Sequence, residues 1–434
     1  MSNKKKSAYV AATSDTQDSV IGRQKDLLVV SASWTVSRLI ALYAVFQTWH
    51  PVSGWTADVG LYNFWAGNMN NGQFPLHDPM WQYPPFAAVI FLMGFAISHA
   101  TVGFVSLAII ADAGIMGLLL LAQKRLATTR SLGLWIWVAA PALMGPIMLG
   151  RFDLFPTLAV VAAIVFANTA EAFGSLVAIG ALLKVWPVLA MIGTPRKDGI
   201  RSIVVFVLTF IGGSAIMVAW WPGSFGFLSG QKARGLQIES LGAWPYMMWN
   251  SMGHHVNVAL QYGAIEVVAQ GTRTVCLLVT ITCIALFGSL AVLRFMGRLE
   301  HASVAHIALT AVLISMITSR VLSPQYTVWI LGLVAVTAFE PPRHFKWIAG
   351  LLCASALAGN LLYPGYYIPF EIGGKFAMFI QTVRVMSLLA ATIISFVSLL
   401  EQEAKAVHKP KSPSGLHGST KRQGQSRKAL QKAA

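Results

Sequence analysis

The residue types best placed to do chemistry lie in a polar stretch from about Trp49 to Gln82, between two apolar runs. It holds Asp58, within Thr56-Ala57-Asp58-Val59-Gly60-Leu61-Tyr62, and Asp78; it has no Lys or Arg and closes on Tyr83-Pro84-Pro85-Phe86. A carboxylate on a cation-free loop just past an apolar run is placed to act as a general base. The plainer use of Asp58, capping an interfacial helix, suits its position as well, because Asp favours helix N-caps. Its company tips the balance.

Arg38, Asp112, Lys184, Arg320 and Arg384 fall inside apolar runs, where an ionised group at mid-depth costs at least about 2.5–3.5 kcal/mol. Such groups persist when they pair or line a polar cavity. Arg38 and Asp112 form a candidate structural pair. Lys184, in Leu183-Lys184-Val185-Trp186-Pro187, and Arg320, before Leu322-Ser323-Pro324-Gln325-Tyr326, have no acidic neighbour in sequence. An excess of buried cations implies an anionic ligand. A second charged cluster, Lys232-Ala233-Arg234-Gly235-Leu236-Gln237-Ile238-Glu239-Ser240, lies between two runs. A solvated loop would explain its charges, but Arg suits phosphate because its planar fork meets two oxygens at once.

Trp55, Tyr62, Trp65, Trp81, Tyr83, Trp244, Tyr246 and Trp249 fit the aromatic belt of a membrane interface, and some also offer faces on which sugar rings stack. His254 and His255 read as a surface pair, since no third ligand stands at metal spacing. Cys276 and Cys283 are about 10 Å apart along one helix, too far for a disulfide.

The elements that must hold these residues are membrane helices. The 434-residue chain is 56% hydrophobic and 11% charged, and its apolar runs approach the roughly 20 residues that span a bilayer. The fold class expected is an all-α polytopic membrane protein. The net charge of +16 sits at the two ends and in short loops, which marks cytoplasmic loops rather than a nucleic-acid surface. The first run is long and lacks a small-residue cleavage pattern, so it is expected to remain as a span rather than be cleaved.

Twelve runs are expected to span, at about 28–48, 84–101, 103–123, 131–149, 154–170, 174–193, 202–221, 274–293, 303–320, 325–339, 347–363 and 376–400. Residues 1–27 form a polar cytoplasmic tail, 28–400 the membrane domain, and 401–434 a basic disordered cytoplasmic arm suited to anionic lipid. Outer loops are expected at about 49–82, 222–272 and 364–375, with an interfacial helix in the first, where Val59, Tyr62, Phe64 and Trp65 recur at helical spacing. In this count Lys124, Arg125 and Arg130 lie outside and the Arg151-Phe152-Asp153 turn inside, against the positive-inside rule. A hairpin among the short runs between 84 and 170 that fails to cross would swap them.

Asp58 with Tyr62, Tyr83-Pro84-Pro85-Phe86, Leu183-Lys184-Val185-Trp186-Pro187, Arg234-Gly235-Leu236-Gln237-Ile238-Glu239-Ser240 and Ser323-Pro324-Gln325-Tyr326, in that order, together resemble glycosyltransferase family 87. The resemblance is to polyprenyl-phosphate-mannose-dependent α-mannosyltransferases of actinobacterial phosphatidylinositol mannoside and lipomannan synthesis. It implies the GT-C fold, an active site on the extracytoplasmic face of the plasma membrane, a lipid-linked sugar donor, a glycolipid acceptor, and no cofactor or metal. It places Asp58 where the family has its catalytic carboxylate. The roles that follow are phosphate binding for Arg234, Arg320 and Lys184, and sugar or acceptor contacts for Tyr62, Tyr83, Glu239, Gln325 and Tyr326. An α-1,2 linkage comes from the resemblance alone. Competing readings are a GT-C transferase of arabinofuranose or glucose, and a lipid-linked sugar transporter or flippase. Transporters usually carry internal repeats with broken helices at matching positions, a symmetry not evident here.

Overall fold

The computed structural model describes residues 3–47, 57–194, 196–228 and 234–407, with side chains over 25–47, 58–194, 197–228 and 234–402. Helices make up most of it: α1 (Asn3–Gln47), α2 (Ala57–Asn70), α3 (Ala87–Ile97), α4 (Thr101–Arg125), α5 (Leu132–Met144), α6 (Leu154–Val165), α7 (Ala170–Leu183) and α8 (Gly199–Trp220). They continue with α9 (Trp244–Ser251), α10 (Thr272–Phe295), α11 (Val304–Ile317), α12 (Thr327–Thr337), α13 (Phe345–Leu362), α14 (Tyr367–Glu371) and α15 (Lys375–Val407). Helix α1 reaches back to Asn3, where an irregular tail was the expectation; the segment has no Pro to stop a helix. The arm beyond 407, Trp55 and Lys232 lie outside the described residues.

The fold is not all-α. Strands β1 (Val258–Gln261) and β2 (Ala264–Val267) form an antiparallel hairpin in the 222–272 loop. Its two-residue turn, Tyr262-Gly263, has positive φ at both positions, the geometry that matches the twist of paired strands.

Each apolar run carries an apolar helix, but among the described residues six are long and apolar enough to cross a membrane: Lys25–Gln47, Thr101–Arg125, Gly199–Trp220, Thr272–Phe295, Phe345–Leu362 and Lys375–Gln402. The others are short. Helix α3, with 11 residues, is only about 16 Å long. Helices α8 and α10 turn apolar side chains outward along most of their length, whereas every residue of α12 and nearly all of α11 are buried. A helix apolar all round belongs in an interior, so α11 and α12 form the centre and α8 and α10 the lipid-facing rim. Small residues allow the close approaches: Gly133 of α5 against the Ala335 carbonyl, and Gly174 of α7 against the Ser202 carbonyl, leave no room for a Cβ.

The basic loops gather at one end of the bundle. Arg125 Nη1 donates to the Val165 carbonyl at 2.9 Å, Arg130 Nη1 to the Phe339 carbonyl at 3.0 Å, Arg343 pairs with Glu401 at 2.8 Å, and Arg294 donates to the Thr194 carbonyl. Arg151 lies at the other end, ion-paired with Asp58. The Lys124–Arg130 loop and the Arg151–Asp153 turn therefore swap the sides given by simple counting. The cause is α3, which starts beside Tyr83 and turns back into α4 at His99, whose carbonyl accepts from Asn63 of α2 at 3.3 Å. It never leaves the Asp58 end.

A second departure restores the parity. The 174–193 run is not one span: α7 ends at Leu183, Lys184 is extended, and a 3-10 helix, Trp186–Gly193, leads back to Thr194 at the basic end. Pro187 explains the break, because proline has no N–H to donate to the carbonyl four residues back, here that of Leu183, and its ring clashes with that carbonyl.

Arg38 and Asp112 form the buried pair the sequence anticipates. Arg38 Nε and Nη2 donate to the two Asp112 oxygens at 2.8 Å each, Trp34 Nε1 donates to Oδ2 at 3.0 Å, and Arg38 also reaches the Trp137 and Val138 carbonyls. The pair ties α1 to α4 and α5. Arg38→Leu should cost about 3–5 kcal/mol by leaving Asp112 charged and alone, while Arg38→Leu with Asp112→Leu should recover most of it. Thermal unfolding in detergent reads the difference, and a single variant as stable as the parent would show that the tie contributes nothing.

Candidate active site

A cavity of about 750 Å³ opens at the end of the bundle that carries Asp58. The ends of the short helices line it: Arg151 stands just before α6, Lys184 just after α7, and Ser323 to Tyr326 between α11 and α12. The loops at those ends make the floor.

One wall is α2. Asp58 lies in its first turn and forms an ion pair with Arg151, whose Nη2 donates to the Tyr363 hydroxyl at 3.1 Å. The buried face of α2 carries Val59, Tyr62, Trp65, Ala66 and Met69 at helical spacing. Tyr62 stacks on Phe91 with centroids 4.4 Å apart, and its hydroxyl lies 2.9 Å from that of Tyr83. Burial drives both phenols well above their usual ionisation range, so both stay neutral donors. Asp78 is structural: its oxygens accept from Trp65 Nε1 at 2.7 Å and the Met80 amide at 2.8 Å.

The floor is a second charge pair in an aromatic box. Asp153 Oδ1 accepts from Lys184 Nζ at 2.6 Å and from Trp329 Nε1 at 2.7 Å. The ammonium is 4.9 Å from the Tyr326 ring centroid, 5.1 Å from Trp329 and 5.8 Å from Tyr83, within range of cation–π attraction. Trp186, Trp329 and Tyr326 stack in series with centroids 4.9 and 4.1 Å apart.

The far wall comes from the 222–272 loop. Arg234 Nη2 donates to the Tyr262 carbonyl at 3.1 Å, which also accepts from Gln82, so the hairpin turn bridges the two walls. Glu239 lies behind. Its oxygens take Arg384 and Gln237 Nε2, the latter at 3.0 Å, and Gln237 Oε1 in turn accepts from the Leu322 amide at 2.7 Å. Burial raises the Glu239 carboxyl above the ordinary range and Arg384 opposes this.

Eight of the nine sequence-derived residues line the cavity: Asp58, Tyr62, Tyr83, Lys184, Arg234, Glu239, Gln325 and Tyr326. Arg320 is the exception. It lies behind the Arg234 segment, donating to the Arg234 carbonyl at 3.4 Å and Thr280 Oγ1 at 3.2 Å, while its own carbonyl accepts the Gln237 amide at 2.9 Å. The supposed surplus of buried cations also shrinks: Lys184 has Asp153 and Arg384 has Glu239. Among the described residues Arg234 is the cation of the lining with no carboxylate in ion-pair range, and its buried Nε has no hydrogen-bond partner. His254 stacks on Trp249 and His255 meets Asn257, and among the described residues no three His, Cys, Asp or Glu group as a metal site would need.

Arg151, Asp153, Trp329, Tyr363 and Tyr367 are site residues that sequence reasoning passes over. Arg151 and Asp153 carried a usable signal, since they are the charges between two apolar runs, yet their turn bears on sequence reasoning only as a matter of topology.

The helical bundle with its recessed charged cavity defines a polytopic membrane protein built around a polar site. Residues 81–324, more than half the chain, match the model of glycosyltransferase family 87, and the chain belongs to that family. It is therefore a glycosyltransferase. No curated protein matches it. The matched span includes Arg151, Asp153, Lys184, Arg234 and Glu239, whereas Asp58 precedes it and reaches the site through its ion pair with Arg151.

The two acids of the lining should respond differently to neutralisation. Glu239→Gln leaves the buried Arg384 without its counter-charge, which typically costs about 3–5 kcal/mol. Asp58→Asn also unpairs a buried arginine, but Asp58 is 28% exposed and Arg151 keeps the Tyr363 hydroxyl, so the loss should be smaller, about 1–2 kcal/mol. Thermal melts of both variants in detergent check the contrast, and equal losses would remove the structural assignment of Glu239.

Proposed function

We propose that this enzyme transfers mannose, with inversion, from polyprenyl-phosphate-mannose to a hydroxyl of a glycolipid acceptor of the phosphatidylinositol mannoside or lipomannan type. The fold proposed is GT-C, and the linkage α-1,2. Asp58 is the base. One observation carries the assignment: of the two carboxylates lining the cavity among the described residues, Glu239 is buried and held by Arg384 and Gln237, which leaves Asp58 as the one a hydroxyl can approach.

The chemistry asks for one carboxylate and cations. The acceptor hydroxyl gives its proton to Asp58 as its oxygen bonds to the anomeric carbon, and the bond from that carbon to the phosphate oxygen breaks with its electron pair. Inverting glycosidases need a second carboxyl to protonate the departing oxygen, but a lipid phosphate leaves as a stable anion. Arg234 and Lys184 are the proposed phosphate holders, with Arg320 supporting Arg234 from behind. Tyr62, Tyr83, Gln325 and Tyr326 are proposed sugar or acceptor contacts; Glu239 supports the wall. Arg151 orients the base.

The closed floor favours an enzyme over a flippase: beneath Lys184 and Tyr326 lie α12, buried along its whole length, and α11, buried along nearly all of its own, rather than a polar path. Arg125, Arg130, Arg294 and Arg343 crowd the opposite end, and positive loops stay in the cytoplasm, so the cavity is proposed to face outward from the plasma membrane. The donor headgroup is then met at the outer leaflet.

Asp58→Asn should lower kcat by about 10²–10⁴-fold with the fold retained, measured with labelled polyprenyl-phosphate-mannose and a lipid extract in detergent; wild-type turnover would remove the base. Arg234→Gln should raise the donor KM about tenfold with little change for the acceptor. Preference for an arabinofuranose or glucose donor would overturn the sugar, and activity lost to chelator and restored by a divalent cation would overturn the metal-free chemistry.

A further inference from the structure

We infer that Asp153 is a positioning residue for the donor-phosphate end of the cavity: one of its oxygens fixes both the Lys184 ammonium and the Trp329 indole, without itself meeting the substrate. The inference rests on the reading of Lys184 as a phosphate holder.

Asp153 directly precedes α6, where an Asp would ordinarily cap the helix. It makes no capping bond. Its side chain turns instead into the bundle, 1% exposed, and Oδ1 takes the Lys184 and Trp329 donors together at 2.6 and 2.7 Å. Trp329 is clasped between Trp186 and Tyr326, so the bond to its indole sets the angle at which the Tyr326 face meets the cavity. The same oxygen takes one of the three Lys184 N–H bonds and leaves the Lys184 side chain, 17% exposed, on the cavity lining.

The hydrogen bonds of Asp153 differ from those of the two acids in buried arginine pairs; a bare second oxygen it has in common with Glu266, whose Oε1 is also unmet while Oε2 holds the Gly235 amide. Asp112 has both oxygens on Arg38, with Trp34 added, and Glu239 has one on Arg384 and one on Gln237. Asp153 Oδ2 is buried with no hydrogen-bond partner. Asp153 keeps a bare oxygen and shares its other one between the cation and the ring that form the floor. Lys184 gives one of its three N–H donors to Asp153, and the others are what an anionic headgroup would take.

The test is steady-state kinetics of the full chain in detergent, with polyprenyl-phosphate-mannose varied at fixed phosphatidylinositol mannoside and the reverse. Asp153→Asn should raise the donor KM about tenfold or more, as expected for loss of a charge-assisted bond, and leave the acceptor KM within about twofold. Lys184→Gln should do the same, and the double variant should be no worse than Lys184→Gln by more than about threefold, since the two act as one unit. If Lys184→Gln raises the donor KM and Asp153→Asn leaves it unchanged or lower, or if the two effects multiply, the positioning role is wrong. If Lys184→Gln itself leaves the donor KM alone, the phosphate assignment of Lys184 is what fails. Should Asp153→Asn not be recovered folded, Trp329→Phe decides: it keeps the ring stack, removes the N–H bonded to Oδ1, and should raise the donor KM severalfold, whereas an unchanged value overturns the inference.

Discussion

A charge buried in a bilayer must meet an opposite charge or a polar cavity, and this bundle is arranged around that requirement. Arg38 meets Asp112 at the contact of α1 with α4 and α5, where no cavity is needed. Lys184 meets Asp153, Arg384 meets Glu239 and Arg151 meets Asp58, all at one end and all around one hollow. The first pair holds helices together. The other three surround a space that the same helices leave open, because their side chains are also its walls.

That space exists because several helices stop early. Pro187 breaks what would otherwise be a single span, and the break sets Lys184 at the bottom of the cavity rather than in lipid. Helix α11 ends at Ile317 and α12 starts at Thr327, and the loop between them brings Gln325 and Tyr326 to the same depth. Short helices are stable here because their neighbours cover them: α12 is buried along its whole length. The long, lipid-exposed helices α8 and α10 span the membrane, and the short interior ones shape the site.

The sequence made the apolar helices legible, since their composition permits little else. It also pointed to eight residues of the cavity lining, Asp58, Lys184 and Arg234 among them, because charged or aromatic residues interrupting apolar runs are conspicuous. It did not show which run folds back on itself. Helix α3 and the α7 hairpin look like ordinary spans by hydropathy, and the difference lies in the turn at His99 and the proline at 187. Nor could it pair Lys184 with Asp153, 31 residues apart, so a satisfied cation looked like a free one. Arg320 misled for the related reason that its side chain turns to Thr280 and the Arg234 carbonyl. The β-hairpin was hidden because a four-residue strand leaves little alternation to read.

The turn Arg151-Phe152-Asp153 joins these observations. Phe152 is fully buried, with its ring centroid 5.3 Å from those of Tyr83 and Phe91 and 5.5 Å from that of Phe155. This anchors the turn to the aromatic cluster that also holds α2. From that anchor Arg151 reaches Asp58 on one side and Asp153 reaches Lys184 on the other. In the proposed inverting reaction the attacking hydroxyl and the departing phosphate lie on opposite sides of the anomeric carbon, so the proposed base and phosphate-holding cation need a fixed separation. A three-residue turn packed on aromatic rings maintains such a separation.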